Sequence, residues 1–197
     1  MTKTLKAIIA PLWIAVVVAV ACMKKGAIED MPAPSMNYTY LNEMELGDKD
    51  YFNLDIDANG TVDFTFSTRL VGDPILKQDR LQFLLGSKIE TNLLNSDNDD
   101  CPKLRKGDRI GTVHEGFTWY ELSSILLTEK VNTMEGTNWW RGVWTDANHS
   151  FLPVQLLKGA KVYHGWIEVS FNRAKEKLVL HRTAICTEGN KEIKAGN

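Results

Sequence analysis

The sequence lacks the marks of a nucleic-acid-binding protein and of the common enzyme families. Its 23 basic and 25 acidic residues leave a net charge of −2 over 197 residues, which provides no basic field for a phosphate backbone. It contains no phosphate-binding glycine loop and no Gly-x-Ser-x-Gly elbow. The four histidines, His114, His149, His164 and His181, are scattered without a zinc-protease motif. Catalytic triads are assembled in space, but we expect a protein that is not an enzyme.

The sequence also lacks an apolar run long enough to span a bilayer. Its uncharged N-terminal run, Ala7 to Ala21, has 15 residues, whereas a spanning helix needs about 20. Two lysines precede the run and two more follow shortly after it. This arrangement predicts a signal peptide over residues 1–21.

The end of the run resembles the lipobox of bacterial lipoproteins, because the small residues Ala19, Val20 and Ala21 lead directly into Cys22. The resemblance implies cleavage before Cys22, a lipid on that cysteine, and attachment to the outer membrane of a Gram-negative bacterium, on either face. It departs from the common pattern at Ala19, where leucine is usual. A plain secretory signal or an uncleaved anchor is the alternative. Residues 22–36 are expected to form the lipid anchor and a flexible tether.

Cysteine is scarce, with three residues in the chain. If Cys22 carries the lipid, Cys101 and Cys186 remain as a pair in an oxidising compartment, and we expect them to form a disulfide. Closing a loop of 85 positions would stabilise the fold by about 4 to 5 kcal/mol. Two free buried thiols are the alternative. Neither cysteine has a neighbour at metal-ligand spacing, so the sequence does not predict a zinc site.

Alternating apolar and polar residues predict strands from about Asn37 onward, most clearly in residues 51–57 and 62–67. Residues 162–171 and 177–181 are expected to form a closing pair of strands. Residues 81–93 favour a hairpin around Gly86, because glycine weakens a helix interior. Residues 119–126 allow one short helix. The spacing of turn signals predicts a single antiparallel β-sandwich, jelly-roll or Ig-like, over residues 37–197.

The sharpest motif extends from Asp55 to Asp63. It places oxygen-bearing side chains at loop positions one, three, five and nine and glycine at position six, like the start of an EF-hand calcium loop. Position twelve is Phe66, where an EF-hand has its bidentate glutamate, and the flanking sequence is strand-like. The motif therefore predicts a structural Ca²⁺ site in a turn between strands, with the ligands Asp55, Asp57, Asn59, Thr61 and Asp63.

An empty acidic hairpin around Asn59-Gly60 is the alternative. A two-residue turn would mix apolar and charged residues on each face. A three-residue loop instead pairs Ile56 with Val62, Leu54 with Phe64 and Phe52 with Phe66, which gives one apolar face and sets Asp55 opposite Asp63. Like charges in such pairs repel, so the turn should recruit a cation or raise a pKa. Without the glutamate, we expect weak binding, at about 0.1 to 1 mM.

A second acidic run, Asp97 to Asp100, is expected to be a solvated loop. Tryptophans in the segment 139–144 provide an alternative site. If the segment is extended, Trp140 and Trp144 lie on one face and Trp139 on the other. Exposed indoles would stack on sugar rings or contact an envelope protein, whereas buried indoles would be core. The corresponding functional alternatives are a carbohydrate-binding surface lipoprotein and, second, a secreted hydrolase without a recognisable motif.

Three motifs in order resemble a class of uncharacterised secreted bacterial β-proteins: the 55–63 turn, Leu104 to Gly111, and the strand Tyr163 to Ser170 with its Tyr-His-Gly-Trp-Ile sequence. The resemblance covers about residues 37–184. It departs from the common pattern at Asn59, often aspartate, and at the inserted His164. It implies an extracytoplasmic all-β domain with a structural ion and implies no reaction. We therefore expect a lipid-anchored cell-envelope protein with a binding or structural role.

Overall fold

The computed structural model of the protein describes residues 32–197, and these residues form strands, turns and loops without a helix. The strands are β1 (Met36–Leu46), β2 (Tyr51–Leu54), β3 (Phe64–Asp73), β4 (Gln78–Ser87), β5 (Thr91–Asn95), β6 (Arg109–Ile110), β7 (Thr118–Glu121), β8 (Ser124–Thr133), β9 (Asn138–Arg141), β10 (Ser150–Lys158), β11 (Lys161–Asn172), β12 (Lys177–Cys186) and β13 (Ile193–Lys194). The prediction of an all-β chain is confirmed. In residues 32–197, no helix of the length and apolarity required to cross a bilayer is found.

Two antiparallel sheets form a β-sandwich, as the sequence predicts. The larger sheet has six strands in the order β1-β12-β11-β10-β5-β7, and the smaller has five in the order β2-β3-β4-β8-β9. Inward side chains from both sheets form the main core, because alternate residues of a strand point to the same face. This core includes Leu54, Phe64, Phe66, Phe83, Leu85, Trp144, Leu152, Ile167 and Leu180.

A second apolar cluster covers part of the outer face of the six-stranded sheet. Trp166 on β11 and Ala184 on β12 belong to this cluster, whereas Ile167 and Ile185 next to them belong to the main core. The cluster is closed by the short β6–β13 sheet, whose Ile110 and Ile193 are buried. The six-stranded sheet is therefore buried on both faces over part of its area.

One local prediction, the hairpin of residues 81–93, is wrong, and the alternative of a helix in residues 119–126 is not realised. Strands β4 and β5 do not form a hairpin: β4 lies between β3 and β8 in one sheet, and β5 lies between β10 and β7 in the other. The turn between them therefore carries the chain across the sandwich. The short helix that residues 119–126 allowed is also absent, since this segment contains the end of β7 and the start of β8. In both cases, pairing with distant strands overrides the local pattern.

The closing pair of strands is confirmed, because β11 and β12 pair antiparallel from Gly165 opposite Ile185 to Asn172 opposite Lys177. At the other end, residues 33–197 form one compact unit, and β1 begins at Met36, one residue before the predicted domain boundary. The predicted signal peptide 1–21, the lipidation site Cys22 and most of the tether lie outside the described residues.

The predicted disulfide is not formed, since Cys101 and Cys186 are both free and buried. Cys101 packs in the main core, whereas Cys186 belongs to the cluster on the outer face of the six-stranded sheet. The two thiols therefore belong to different apolar clusters, and the sheet separates these clusters. Burial raises the pKa of both thiols, which keeps them protonated and unreactive. An even number of cysteines was not sufficient to predict a bridge, because bridging also requires closely placed Cβ atoms.

Candidate functional site

The acidic motif forms the loop between β2 and β3. The ladder of these strands pairs Phe52 with Phe66 and Leu54 with Phe64, which confirms the predicted register. All four of these side chains pack in or against the main core. The ladder ends there, so the connection is a nine-residue loop, residues 55–63, and not the predicted three-residue turn. One backbone bond closes the loop, from the Asp63 N–H to the Leu54 carbonyl at 2.9 Å, and within the loop most bonds of backbone N–H groups go to side-chain oxygens.

Side-chain oxygens hold this loop in shape. The Asp55 carboxylate accepts hydrogen bonds from the backbone N–H groups of Asn59 at 3.1 Å and Gly60 at 2.6 Å. The Asn59 Oδ1 atom accepts one from the Thr61 N–H at 2.7 Å. Gly60 has φ 90°, a conformation that favours glycine over residues with a Cβ. Short polar side chains that bond nearby backbone groups are typical of tight turns, which explains why Asp, Asn and Gly alternate here.

The loop brings three of the five predicted ligands together. Asp55, Asp57 and Asp63 each offer a carboxylate oxygen, and these oxygens lie within 4.8 Å of one another. Asn59 and Thr61 lie at the exposed tip of the loop, where the Asn59 Oδ1 already accepts the Thr61 N–H. The convergent part of the site therefore consists of the three aspartates.

Asp63 is the buried member of this group, with 5 % of its surface exposed. Its Oδ2 atom accepts a hydrogen bond from the Ile56 N–H at 2.8 Å. The pKa of Asp63 is raised to about 6, mainly by burial and in addition by the charges of Asp57 and Asp55, against the opposing effects of the Ile56 N–H and Lys158. The loop therefore stores unfavourable electrostatic energy whenever all three carboxylates are ionised.

Lys158 is the residue of this site that the sequence did not indicate. It lies at the end of β10, and its ammonium group forms an ion pair with the Asp57 carboxylate. Burial opposes ionisation of Asp57, but the hydrogen bond and the charge of Lys158 outweigh it and hold the Asp57 pKa below its ordinary value. No local pattern links a lysine in the β10–β11 hairpin to the 55–63 loop. One lysine thus faces three carboxylates.

The same region contains a cavity of about 340 Å³, lined in part by Asn59, Thr61, Asp63 and Lys158. Solvent and small ions can therefore reach the loop from the side that faces the β10–β11 turn. The arrangement provides a set of hard oxygen ligands with an excess of negative charge, which is the chemistry that Ca²⁺ prefers.

Of the two alternatives for the tryptophans of residues 139–144, the structure supports core packing for Trp140 and Trp144. Trp144 is fully buried, and its indole Nε1 donates to the Cys101 carbonyl at 3.1 Å. Trp140 packs on the main core, edge-on to Phe171 with ring centroids 4.8 Å apart. Trp139 on the edge strand β9 remains 42 % exposed. The segment leaves the extended conformation after Arg141, so Trp139 is the one ring of these three that remains half exposed, and the three indoles do not form a continuous surface.

The chain matches no family model, no curated protein and no solved structure in the comparisons made with each. The resemblance to secreted bacterial β-proteins therefore stays a prediction, and the function must be argued from the residues of this chain.

Proposed function

We propose that the protein is a lipid-anchored cell-envelope protein whose β-sandwich is stabilised by Ca²⁺ at the 55–63 loop and which has a binding or structural role. One observation carries the calcium part of this proposal, namely the convergence of the Asp55, Asp57 and Asp63 carboxylates within 4.8 Å. Three carboxylates so close together repel one another unless a cation compensates them.

Calcium would supply that compensation. The ion takes six to eight oxygen ligands, of which the three aspartates provide at least three, and loop carbonyls, the Asn59 side chain and water complete the shell. Binding would favour the ionised form of Asp63, whose pKa burial raises. Lys158 already neutralises part of the negative charge through its ion pair with Asp57. We therefore expect it to compete with Ca²⁺ and to keep the affinity for the ion low.

The test is the Tm of the purified protein with and without millimolar calcium. At tenfold excess over Kd, binding adds about 1.4 kcal/mol to the free energy of unfolding, which raises Tm by about 3 to 6 °C for a domain of this size. Asp57→Asn should abolish the rise. Lys158→Met should lower Tm without calcium and enlarge the calcium-dependent rise, because the competing ammonium group is gone.

Asp99→Asn is the matched control, since it removes one charge from the other acidic run, which lies in an exposed turn. This variant should keep the calcium response of the wild type. If neither the wild type nor Lys158→Met responds to calcium, the loop is an acidic turn without an ion and the calcium part of the proposal fails.

The anchoring part is tested separately in a Gram-negative host. The wild-type chain should incorporate a radiolabelled fatty acid and sediment with the outer membrane, whereas Cys22→Ser should do neither. An unlabelled wild-type chain would refute lipidation and leave the calcium test unaffected.

A further inference from the structure

The fold brings together two of the histidines that are scattered in the sequence. His149 and His181 stack with their ring centroids 4.1 Å apart and their planes 25° apart. His181 Nδ1 lies 2.6 Å from the Glu43 carboxylate, and His181 Nε2 lies 2.7 Å from the Ser170 hydroxyl. We call Glu43, His149, Ser170 and His181 the histidine cluster. It draws on three neighbouring strands, β1, β11 and β12, and on the loop before β10.

The hydrogen-bond chain in this cluster has a defined direction. An ionised carboxylate is only an acceptor, so in neutral His181 the proton lies on Nδ1 and is donated to Glu43. The Nε2 atom then carries the lone pair and accepts the Ser170 hydroxyl proton. The backbone N–H of His149 donates to the Ser170 Oγ at 2.8 Å, which leaves the hydroxyl hydrogen free for His181. A serine, a basic imidazole nitrogen and an orienting carboxylate follow one another, as in a serine-hydrolase triad.

Irregular backbone positions these groups. The β1–β12 ladder passes from Tyr40 opposite Arg182 to Met44 opposite Leu180, and the β11–β12 ladder also has its irregularity at this point. His181 is therefore the extra residue of the β11–β12 ladder, and residues 41–43 of β1 bulge opposite it in the β1–β12 ladder. Glu43 has φ 55° and His149 has φ 48°, left-handed values that are uncommon for residues with a side chain. Bulges that re-aim a side chain and strained backbone both concentrate at functional sites.

The His149 ring stacks on the imidazole of His181 and holds it in place. The Nδ1 atom of His149 is in turn bonded to Glu168 at 2.8 Å. Glu168 also accepts a hydrogen bond from Arg182 Nε at 2.5 Å. Burial opposes ionisation of Glu168, but the hydrogen bonds from Arg182 and His149 outweigh it and keep its pKa below the ordinary value. The support of the cluster is thus a satisfied polar network.

The cluster opens into a surface cavity of about 560 Å³, whose lining includes Glu43, Ser170 and His181. The other two carboxylates in its lining each have a basic partner: Glu45 pairs with Lys177 at 3.0 Å, and Asp146 pairs with Lys103. Arg173 also lines the cavity; its Nε donates to the Thr145 carbonyl at 3.0 Å, and its charge acts on Asp146. Because the lining contains charges of both signs, it suits an uncharged ligand better than a strongly charged one.

We propose that Ser170, His181 and Glu43 form a hydrolytic site for uncharged carboxylic esters. The Ser170 Oγ attacks the ester carbonyl while His181 Nε2 takes its proton, and the new C–O bond forms a tetrahedral oxyanion. The bond to the alcohol then breaks, and the alcohol leaves with the proton from His181. Water, deprotonated by the same nitrogen, attacks the acyl-serine and releases the acid, and the proton returns to Ser170. Glu43 is a positioning residue that holds the tautomer of His181.

Asn148 lines the same cavity as Ser170, and its side-chain amide is a group that can donate a hydrogen bond to an oxyanion. The His149 N–H is bonded to the Ser170 Oγ itself. Stabilisation of the oxyanion is usually the largest contribution to acyl transfer. This proposal does not depend on the calcium loop. It departs from the expectation of a protein that is not an enzyme, which was based on missing motifs, because the chain order Glu, Ser, His on separate strands leaves no local signature.

The experiment treats the purified full-length protein with a fluorophosphonate probe and locates the adduct by mass spectrometry. A short-chain p-nitrophenyl ester measures turnover in parallel. We expect the adduct on Ser170 and a loss of kcat on the order of 10³-fold in Ser170→Ala and His181→Gln. Glu43→Gln should lower kcat with KM unchanged, and Glu43→Asp should restore part of it, which a purely structural carboxylate would not do.

Ser124→Ala is the control variant, since Ser124 is an exposed serine at the start of β8 in the other sheet. It should keep the wild-type rate and labelling. Labelling of the wild type needs no variant to fold, so the result is decisive even if Ser170→Ala is unstable. A wild-type protein without a Ser170 adduct, or with turnover equal to that of folded Ser170→Ala, overturns the proposal.

Discussion

Asp63 in the acidic loop and Glu168 beneath the histidine cluster are almost equally buried, at 5 % and 6 % exposed, yet their pKa values shift in opposite directions. Burial raises the pKa of Asp63 to about 6. At Glu168 the same burial is outweighed by Arg182 and His149, and the pKa falls below its ordinary value. The difference lies in the partners, because Asp63 faces two more carboxylates whereas Glu168 bonds to an arginine and a histidine.

Burial of a carboxylate therefore does not by itself define a role. Where like charges outnumber the cations, as in the 55–63 loop, the site is prepared for an added cation. Where each carboxylate has a partner, as around His181, the charges fix the orientation of side chains. This contrast is why we assign ion binding to one region and proton transfer to the other.

The largest expected effect on stability comes from Glu168→Gln. The substitution leaves the partly buried Arg182 guanidinium without its counter-charge, and we expect a loss of about 2 to 3 kcal/mol in the free energy of unfolding at neutral pH. Because the Glu168 pKa is lowered on folding, its stabilisation is present above about pH 4.5 and is lost as the pH falls further. Urea unfolding at pH 7 and pH 4 measures both.

The control for this variant is Glu129→Gln on β8, which is also buried and bonded to an arginine, Arg141. A similar loss in both variants indicates that pairing governs buried carboxylates in this fold. If Glu168→Gln is as stable as the wild type, the charged partners of Glu168 do not stabilise the fold, and the contrast between Glu168 and Asp63 is refuted.

Asp63→Asn tests the other side of the contrast. A pKa raised on folding means that the folded state binds more protons than the unfolded state between about pH 4 and pH 6, so this residue lowers stability as the pH rises through that window. Over about two pKa units the penalty is about 2 to 3 kcal/mol. Without calcium, Asp63→Asn should be more stable than the wild type at pH 7, by up to this amount in the free energy of unfolding. Near pH 4 the two proteins should be equally stable.

With calcium, the wild type should be the more stable of the two proteins at pH 7, because Asp63→Asn lacks one ligand of the ion. The measurement is the difference in unfolding free energy between the two proteins across the pH range, with a chelator and with calcium. A difference that does not change with pH would contradict the assigned pKa shift of Asp63.

The smallest effect on stability is expected for Glu43→Gln. Its side chain is 68 % exposed, and polar contacts of such exposed carboxylates contribute little to stability, so the free energy of unfolding should change by less than about 0.5 kcal/mol. The same substitution should nevertheless reduce ester turnover. A large loss of stability with no change in turnover would assign Glu43 a structural role.

The sequence-based predictions succeeded for residues that are close together along the chain and failed for residues whose partners are far apart along it. The pairs Phe52–Phe66 and Leu54–Phe64 were predictable because they flank one short loop, where face alternation leaves a single acceptable register. The hairpin around Gly86 was wrong although both of its strands exist, because each strand has stronger partners far along the chain. The disulfide prediction failed, and the two alternatives for the tryptophans stayed open, for a related reason, since residue type indicates burial but not which face of which sheet a side chain occupies.

The sequence by itself determined the all-β class, most strand positions and the convergence of the aspartates, because alternation and a nine-residue loop are local properties of the chain. Only the tertiary structure decided that Lys158 faces Asp57, that Cys101 and Cys186 lie in separate clusters, and that Glu43, Ser170 and His181 meet. These contacts depend on the order of strands in the two sheets and on the bulges at β1 and β12. That order is set by the packing of the whole core, which no local segment encodes.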